Sequence, residues 1–232
     1  PLRDTVMCLA FLSNKQIVSG SSRGSLCLWN AGDSLPFRMA KVTTSSINAL
    51  AVGMKGTQLV IGCEDGFVRI FNERLDSIFA FQIEGAYPLR SVSFLGEELV
   101  VADSRGNIRF YNKYYSEKNN ALKTTAIHVA AISASGHYLL TANSHDIRLW
   151  DLHNPKRSFD LEDAHTNRVS GIAFSPDERF LFSVSWDGSA LVWTRSGKKM
   201  YKVQTNASAI CVAAASDGRS FATGSVNPLP PA

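Results

Sequence analysis

An all-β fold made of repeated four-stranded antiparallel sheets is what this 232-residue sequence predicts, on three observations. First, the chain aligns on itself. "SGSSRGSLCLWN" (19–30) falls on "IGCEDGFVRIFN" (61–72), "VADSRGNIRFYN" (101–112), "TANSHDIRLWD" (141–151) and "SVSWDGSALVWT" (183–194). Second, the anchor aromatics of these stretches, Trp29, Phe71, Tyr111, Trp150 and Trp193, stand 42, 40, 39 and 43 residues apart. A period of about 40 with four short strands per unit is that of propeller blades. Third, apolar alternation broken by Gly, Asn and Asp fits short strands and tight turns, and little in the pattern suggests helix.

Each unit opens with an apolar strand that runs through a polar turn into a second: "VMCLAFLSNKQIV", "INALAVGMKGTQLV", "LRSVSFLGEELV", "IHVAAISASGHYLL" and "VSGIAFSPDERFLF". A tight turn then leads to a third strand that ends on the anchor aromatic. The first two strands are apolar on both faces, as strands sandwiched between neighbouring blades must be. A fourth, less regular strand follows in "SIFAFQI" (77–83), "RSFDLED" (157–163) and "KMYKVQT" (199–205) and is expected to be more polar because it lies on the rim. A sixth unit begins at "AICVAAASDGRSFATGSVN" (209–227) and supplies two strands before Pro228, Pro230 and Pro231. Proline has no N–H to donate to a ladder, so no third strand is expected there. The predicted organisation is a propeller over 1–227, with five complete blades and a half blade (209–227), and a Pro-rich tail over 228–232.

The composition narrows the class. Hydrophobic residues at 45% suffice for a core, and a net charge of +4 spread along the chain is compatible with an acidic partner without requiring one. Cys8, Cys27, Cys63 and Cys211 form no CxxC pair and have no companion His pair, so buried free thiols are expected, not a zinc site. No apolar run reaches the ~20 residues of a bilayer span, and the N-terminus lacks a signal-peptide core. An intracellular protein of cytoplasm or nucleus is expected, in which the sequon Asn206-Ala207-Ser208 has no role.

On the repeats quoted above, the chain resembles the WD-repeat β-propeller family over essentially residues 5 to 227. Trp150-Asp151 keeps the dipeptide that names the family, while the other units end Trp29-Asn30, Phe71-Asn72, Tyr111-Asn112 and Trp193-Thr194. The resemblance implies a hydrogen-bonded chain inside a blade, and the matching positions are His165, Ser183, Asp187 and Trp193. A buried indole N–H, hydroxyl and imidazole each need a partner, and a carboxylate ends the chain. The rival reading, a hydrolytic triad, needs an exposed nucleophile and an oxyanion hole, and Ser183 stands mid-strand with no nucleophile elbow. The other units keep less of this set: Ile61 replaces the hydroxyl beside Asp65, Arg23 and Arg105 take the Asp position, and Thr141 and His145 fill the places in the fourth unit. Apolar packing alone is therefore expected to hold those blades. The family's closing strand also has no room in Leu2 to Thr5, which makes the chain read as part of a longer, seven-bladed ring.

The resemblance implies a non-catalytic scaffold or adaptor that presents loop residues to other proteins or peptides, with assembly into a larger complex. Trp186 is the leading partner-binding residue, because the other units carry Ser22, Glu64, Ser104 and Ser144 at its turn position. Arg168 enters the same blade beside it, and Glu64 and Arg105 are candidate contacts from other blades. Two alternatives remain. One is a propeller within a larger signalling or ribonucleoprotein-associated protein that contacts nucleic acid through "RGNIRFYNKYYSEKNN" (105–120). The other is an enzyme that uses the central channel. The second has little to work with, since Val6, Cys8, Ile47, Ala49, Ser91, Val129 and Gly171 are small or neutral and no metal, cofactor or paired carboxylate motif is present.

Overall fold

A computed structural model describes residues 4–13, 15–53, 56–118, 121–205, 207–215, 217–218 and 220–226. The predicted Pro-rich tail and Asn206 of the sequon lie outside the described residues. The chain divides into two compact units, Pro1–Thr125 and Ala126–Ala232.

The first unit holds three four-stranded antiparallel sheets. They are β1 (Val6–Ser13), β2 (Gln16–Ser21), β3 (Ser25–Asn30) and β4 (Arg38–Lys41); β5 (Ile47–Val52), β6 (Gln58–Cys63), β7 (Phe67–Asn72) and β8 (Ser77–Gln82); and β9 (Leu89–Leu95), β10 (Glu98–Asp103), β11 (Asn107–Tyr111) and β12 (Leu122–Lys123). The second unit holds two more, β13 (Val129–Ile132), β14 (Tyr138–Ala142), β15 (Ile147–Asp151) and β16 (Phe159–Leu161), then β17 (Val169–Phe174), β18 (Phe180–Ser185), β19 (Ser189–Thr194) and β20 (Lys199–Gln204). A two-stranded sheet, β21 (Ser208–Ala214) with β22 (Phe221–Val226), follows. Among the described residues the one helical turn is the 3-10 segment Pro155–Arg157.

The register explains the anchors. Across the second and third strands of successive blades, Ile17 faces Trp29, Leu59 faces Phe71, Leu99 faces Tyr111, Leu139 faces Trp150 and Leu181 faces Trp193. One aliphatic residue thus packs beside each aromatic, an arrangement that stabilises a pleated pair. The blades then bury their faces on each other. Ile47, Leu59 and Ile61 share a cluster with Val18, Leu26 and Leu28, and Leu89 and Val92 share another with Val60, Val68 and Ile70. In the second unit Val169, Ile172 and Leu181 pack with Leu140 and Leu149. Each fully buried Leu, Ile or Val contributes ~1.5–3 kcal/mol.

This face-to-face approach sets one sequence requirement. A Cβ at Gly20 would lie 2.6 Å from Ile47 Cγ2, and one at Gly62 would lie 2.9 Å from Val92 Cγ1. Glycine late in the second strand is therefore the clearance for the next blade's first strand.

The fourth strands are mostly exposed and carry more polar residues than the inner ones, among them Arg38, Lys41, Asp160, Lys199 and Lys202, but Met39, Ile78, Phe79, Met200, Tyr201 and Val203 are apolar and exposed there as well. An outer strand has a neighbour on one side only, and its side chains cover flanking loops. Phe79 stacks on Tyr115 at 5.3 Å, and Phe81 meets Tyr111 at 4.8 Å.

Candidate functional site

The fifth blade carries the densest polar chemistry. β18 supplies Ser183, the β18–β19 turn supplies Asp187, β19 supplies Trp193, and the segment before β17 supplies His165. Trp193 Nε1–H donates to Ser183 Oγ at 3.0 Å, and Ser183 Oγ lies 2.9 Å from His165 Nε2. His165 Nδ1 lies 3.0 Å from Asp187 Oδ2, which also accepts the Thr166 N–H at 3.0 Å. Ser189 Oγ donates to Asp187 Oδ1 at 2.6 Å. The four side chains singled out in the sequence therefore meet in one chain of bonds.

The protonation state follows from the donors. Burial pushes the His165 imidazole below its ordinary 6.5, and the bond to Asp187 opposes that only in part. A neutral ring protonated on Nδ1 donates to Asp187 and accepts the Ser183 hydroxyl at Nε2, so every donor from the indole onward finds an acceptor. Burial would raise the Asp187 carboxyl, but bonds from Ser189, Thr166 and His165 hold it below the usual carboxylate value. Ser183 is buried, accepts the indole proton and lies between two strand neighbours. A hydroxyl so enclosed has no open approach for a substrate carbonyl.

The other blades correct the expectation that apolar packing alone holds them. Trp29 Nε1–H donates to Ser19 Oγ and Trp150 Nε1–H to Thr141 Oγ1, both at 2.9 Å. In the blades anchored by Phe71 and Tyr111, an arginine on the third strand pairs with an aspartate. Arg69 meets Asp65 at 2.8 Å, and Arg109 meets Asp103 at 2.9 Å. Asp103 went unnoticed in the sequence because Arg105 occupies the aligned turn position. The structure places the carboxylate two residues upstream, fully buried, accepting the backbone N–H groups of Arg105 and Asn107. The signal was Arg109 itself, since an inward arginine requires an acid nearby. His145 of the fourth unit is exposed and bonds the neighbouring Asp146.

The partner-binding candidates separate by unit. In the second, Trp186 is 47% exposed and the Arg168 guanidinium lies 5.2 Å from its ring centre. The Trp186 N–H donates to the Arg168 carbonyl at 3.0 Å, which ties the turn to the entry of β17. In the first, Glu64 is paired with Arg90 at 3.0 Å, and Arg105 lies 5.5 Å from the Tyr87 ring centre.

The cysteines are all free: Cys27 and Cys63 are buried, Cys8 is half-buried and Cys211 is exposed. Burial pushes the Cys8 thiol up to about 12 and Cys63 to about 11, which suppresses the thiolate at neutral pH. Among the described residues no group of three or more His, Cys, Asp or Glu is gathered to hold a metal, and no helix is long and apolar enough to cross a membrane.

Repeated four-stranded antiparallel blades with an anchor aromatic and an internal polar bond define the class as a β-propeller. The family model for the WD domain, G-beta repeat, matches residues 3–30 and 154–194. The solved RRP9 WD40 repeats superpose with a TM-score of 0.85 at 16% identity, covering 97% of this chain and 74% of that one. The chain thus carries WD-repeat matches over those residues and shares the propeller fold of the RRP9 repeats. Among curated relatives, the transcriptional corepressor LEUNIG_HOMOLOG of Arabidopsis thaliana is 23% identical over 210 residues, covering 87% of this chain and 26% of the relative. The guanine nucleotide-binding protein subunit beta of Saccharomyces cerevisiae is 25% identical over 189 residues, covering 78% of this chain and 43% of the relative. The chain thus spans less than half the length of either.

Proposed function

We propose that this chain is a non-catalytic protein-interaction scaffold that works inside the cell as part of a larger assembly, and that the loop surface around Trp186 and Arg168 docks a partner protein or peptide. The observation that carries this reading is the exposed indole at a turn position where the fold itself asks only for a small or polar residue. Ser22, Glu64, Ser104 and Ser144 fill that place in the other blades. Trp and Arg supply much of the binding energy at protein interfaces. Arg168 against the ring holds the pair in place before a partner arrives, which lowers the ordering cost of binding. WD-repeat propellers serve as interaction scaffolds, and relatives named as a corepressor and a G-protein subunit fit that general role. Neutral His165, enclosed Ser183 and the weakly acidic thiols support the non-catalytic part.

The test is a pull-down from cell extract with wild type and with the double variant Trp186→Ala, Arg168→Ala, after both are shown to melt at the same temperature. Loss of specific partners from the double variant is the expected result. An unchanged set of partners would assign docking elsewhere.

A further inference from the structure

A second site lies in the first unit, in the cleft between the 83–88 connection and the turn that joins β10 to β11. We propose that this cleft binds one phosphoryl group, presented by a phosphorylated serine or threonine of a partner peptide. Its volume is about 620 Å³, and Glu84, Tyr87, Arg105, Asn107, Arg109 and Lys123 line it.

The balance of charge singles it out. Arg109 is consumed by Asp103 at 2.9 Å and Glu117 at 3.3 Å, as Arg69 and Arg90 are by Asp65 and Glu64. Arg105 and Lys123 differ, because among the described residues neither meets a carboxylate. The Arg105 guanidinium lies against the Tyr87 ring. Lys123 Nζ donates to two neutral oxygens, the Arg105 carbonyl at 2.9 Å and Asn107 Oδ1 at 2.5 Å, and keeps one of its three protons free. Those two contacts hold the ammonium beside the turn that carries Arg105. Against these two cations the lining offers one uncommitted acid, Glu84.

The cleft thus presents a planar five-donor fork braced on an aromatic face, with a point charge held next to it. That combination suits a group with several acceptor oxygens and about −1.5 to −2 charge, which is a phosphoryl group. A nucleic-acid backbone would need a stripe of cations instead. Glu84 and the neutralised Glu64–Arg90 pair interrupt any such stripe, so one anion per cleft fits better. The site is separate from the Trp186 surface and does not depend on it.

The experiment uses two fluorescent peptide pools with randomised flanks, one with central phosphoserine or phosphothreonine and one unphosphorylated. The phosphorylated pool should bind the wild type about tenfold tighter or more, the factor expected from charge-assisted bonds. Arg105→Glu should abolish the preference, and Arg105→Gln should weaken it if the charge reversal disturbs folding. Arg23→Glu, which changes the same turn position in the first blade, should preserve it, as should the Trp186→Ala, Arg168→Ala variant. Equal binding of the two pools would overturn the proposal. So would a preference untouched at Arg105 or lost equally with Arg23→Glu, a glutamate-substituted pool that binds as tightly, or a single-stranded oligonucleotide that outcompetes the phosphopeptides.

Discussion

An anchor indole brings one N–H that must be satisfied, and the residue two places beyond the one opposite it on the second strand records whether it is. Trp29, Trp150 and Trp193 donate to Ser19, Thr141 and Ser183, whereas Phe71, which has no donor, goes with Ile61, and Tyr111 goes with Val101 and turns its hydroxyl toward Glu117 at 3.4 Å. Anchor and partner change together so that no polar atom is stranded. The same logic gives two predictions in the fifth blade. Asp187→Ala removes the acceptor for Ser189, Thr166 and His165 and should cost about 1–3 kcal/mol, read as a lower denaturation midpoint with an unchanged m-value. The second concerns acid. The folded pKa of His165 lies below its ordinary 6.5, so as pH falls below that value the unfolded chain takes up the proton first. Its contribution is complete above 6.5 and is lost progressively down to the folded value. Asp187, held low, adds its own loss at more acid pH. Glutamine can both accept from Ser183 and donate to Asp187 but does not titrate. The melting temperature of His165→Gln should therefore fall less steeply between pH 7 and 5 than that of the wild type, and parallel slopes would refute the assignment.

At the scale of the blade, the space between sheets is the controlling variable. Gly62 lies where a Cβ would press on Val92 Cγ1 at 2.9 Å and Leu89 Cβ at 3.0 Å, atoms of a strand that is itself buried. Neither neighbour is the free end of a flexible side chain, so Gly62→Ala must move β9 as a whole. A loss of roughly 1–3 kcal/mol is expected, the usual cost of overpacking. Gly53 is the control, because its Cβ would meet nothing closer than 3.6 Å. Gly53→Ala should be near neutral, and urea titration of the two variants side by side checks the contrast. The blades themselves were legible in the sequence, since a period-two pattern repeated every forty residues leaves few alternatives. The Asp103–Arg109 pair was not, because alignment by turn position put Arg105 where an acid was sought, and only the fold shows the carboxylate approaching from the strand end. The exposed apolar residues of the outer strands were not legible for a related reason. Exposure of Phe79 or Tyr201 depends on having one neighbour instead of two, which a local pattern does not encode.

Across the whole molecule, apolar surface is distributed unevenly, and the repeat shows why. In the second blade Leu59, Ile61 and Phe71 lie in the cluster that includes Val18, Leu26 and Leu28 of the first, with Leu50 and Val52 packed against it. The aligned residues of the first blade are Ile17, Ser19, Trp29, Leu9 and Phe11. There Leu9 and Phe11 are each 63% exposed, with Val6 and Met7 beside them, and Val6, Leu9, Ile17 and Trp29 line an open cleft of about 240 Å³. The residue types of a blade interior therefore face water on one side of β1. Contiguous apolar surface of this kind drives association, and with a net charge of only +4 long-range repulsion between copies is weak. The isolated chain is expected to self-associate, with an apparent mass by light scattering that rises with concentration. Leu9→Lys with Phe11→Lys should return it to a monomer. Both side chains are mostly in water already, so the double variant should keep its melting temperature within a degree or two, as exposed substitutions away from special features do. A wild-type chain that stays monomeric across the concentration range, or a double variant that unfolds, would show that this face is already covered by other parts of the protein.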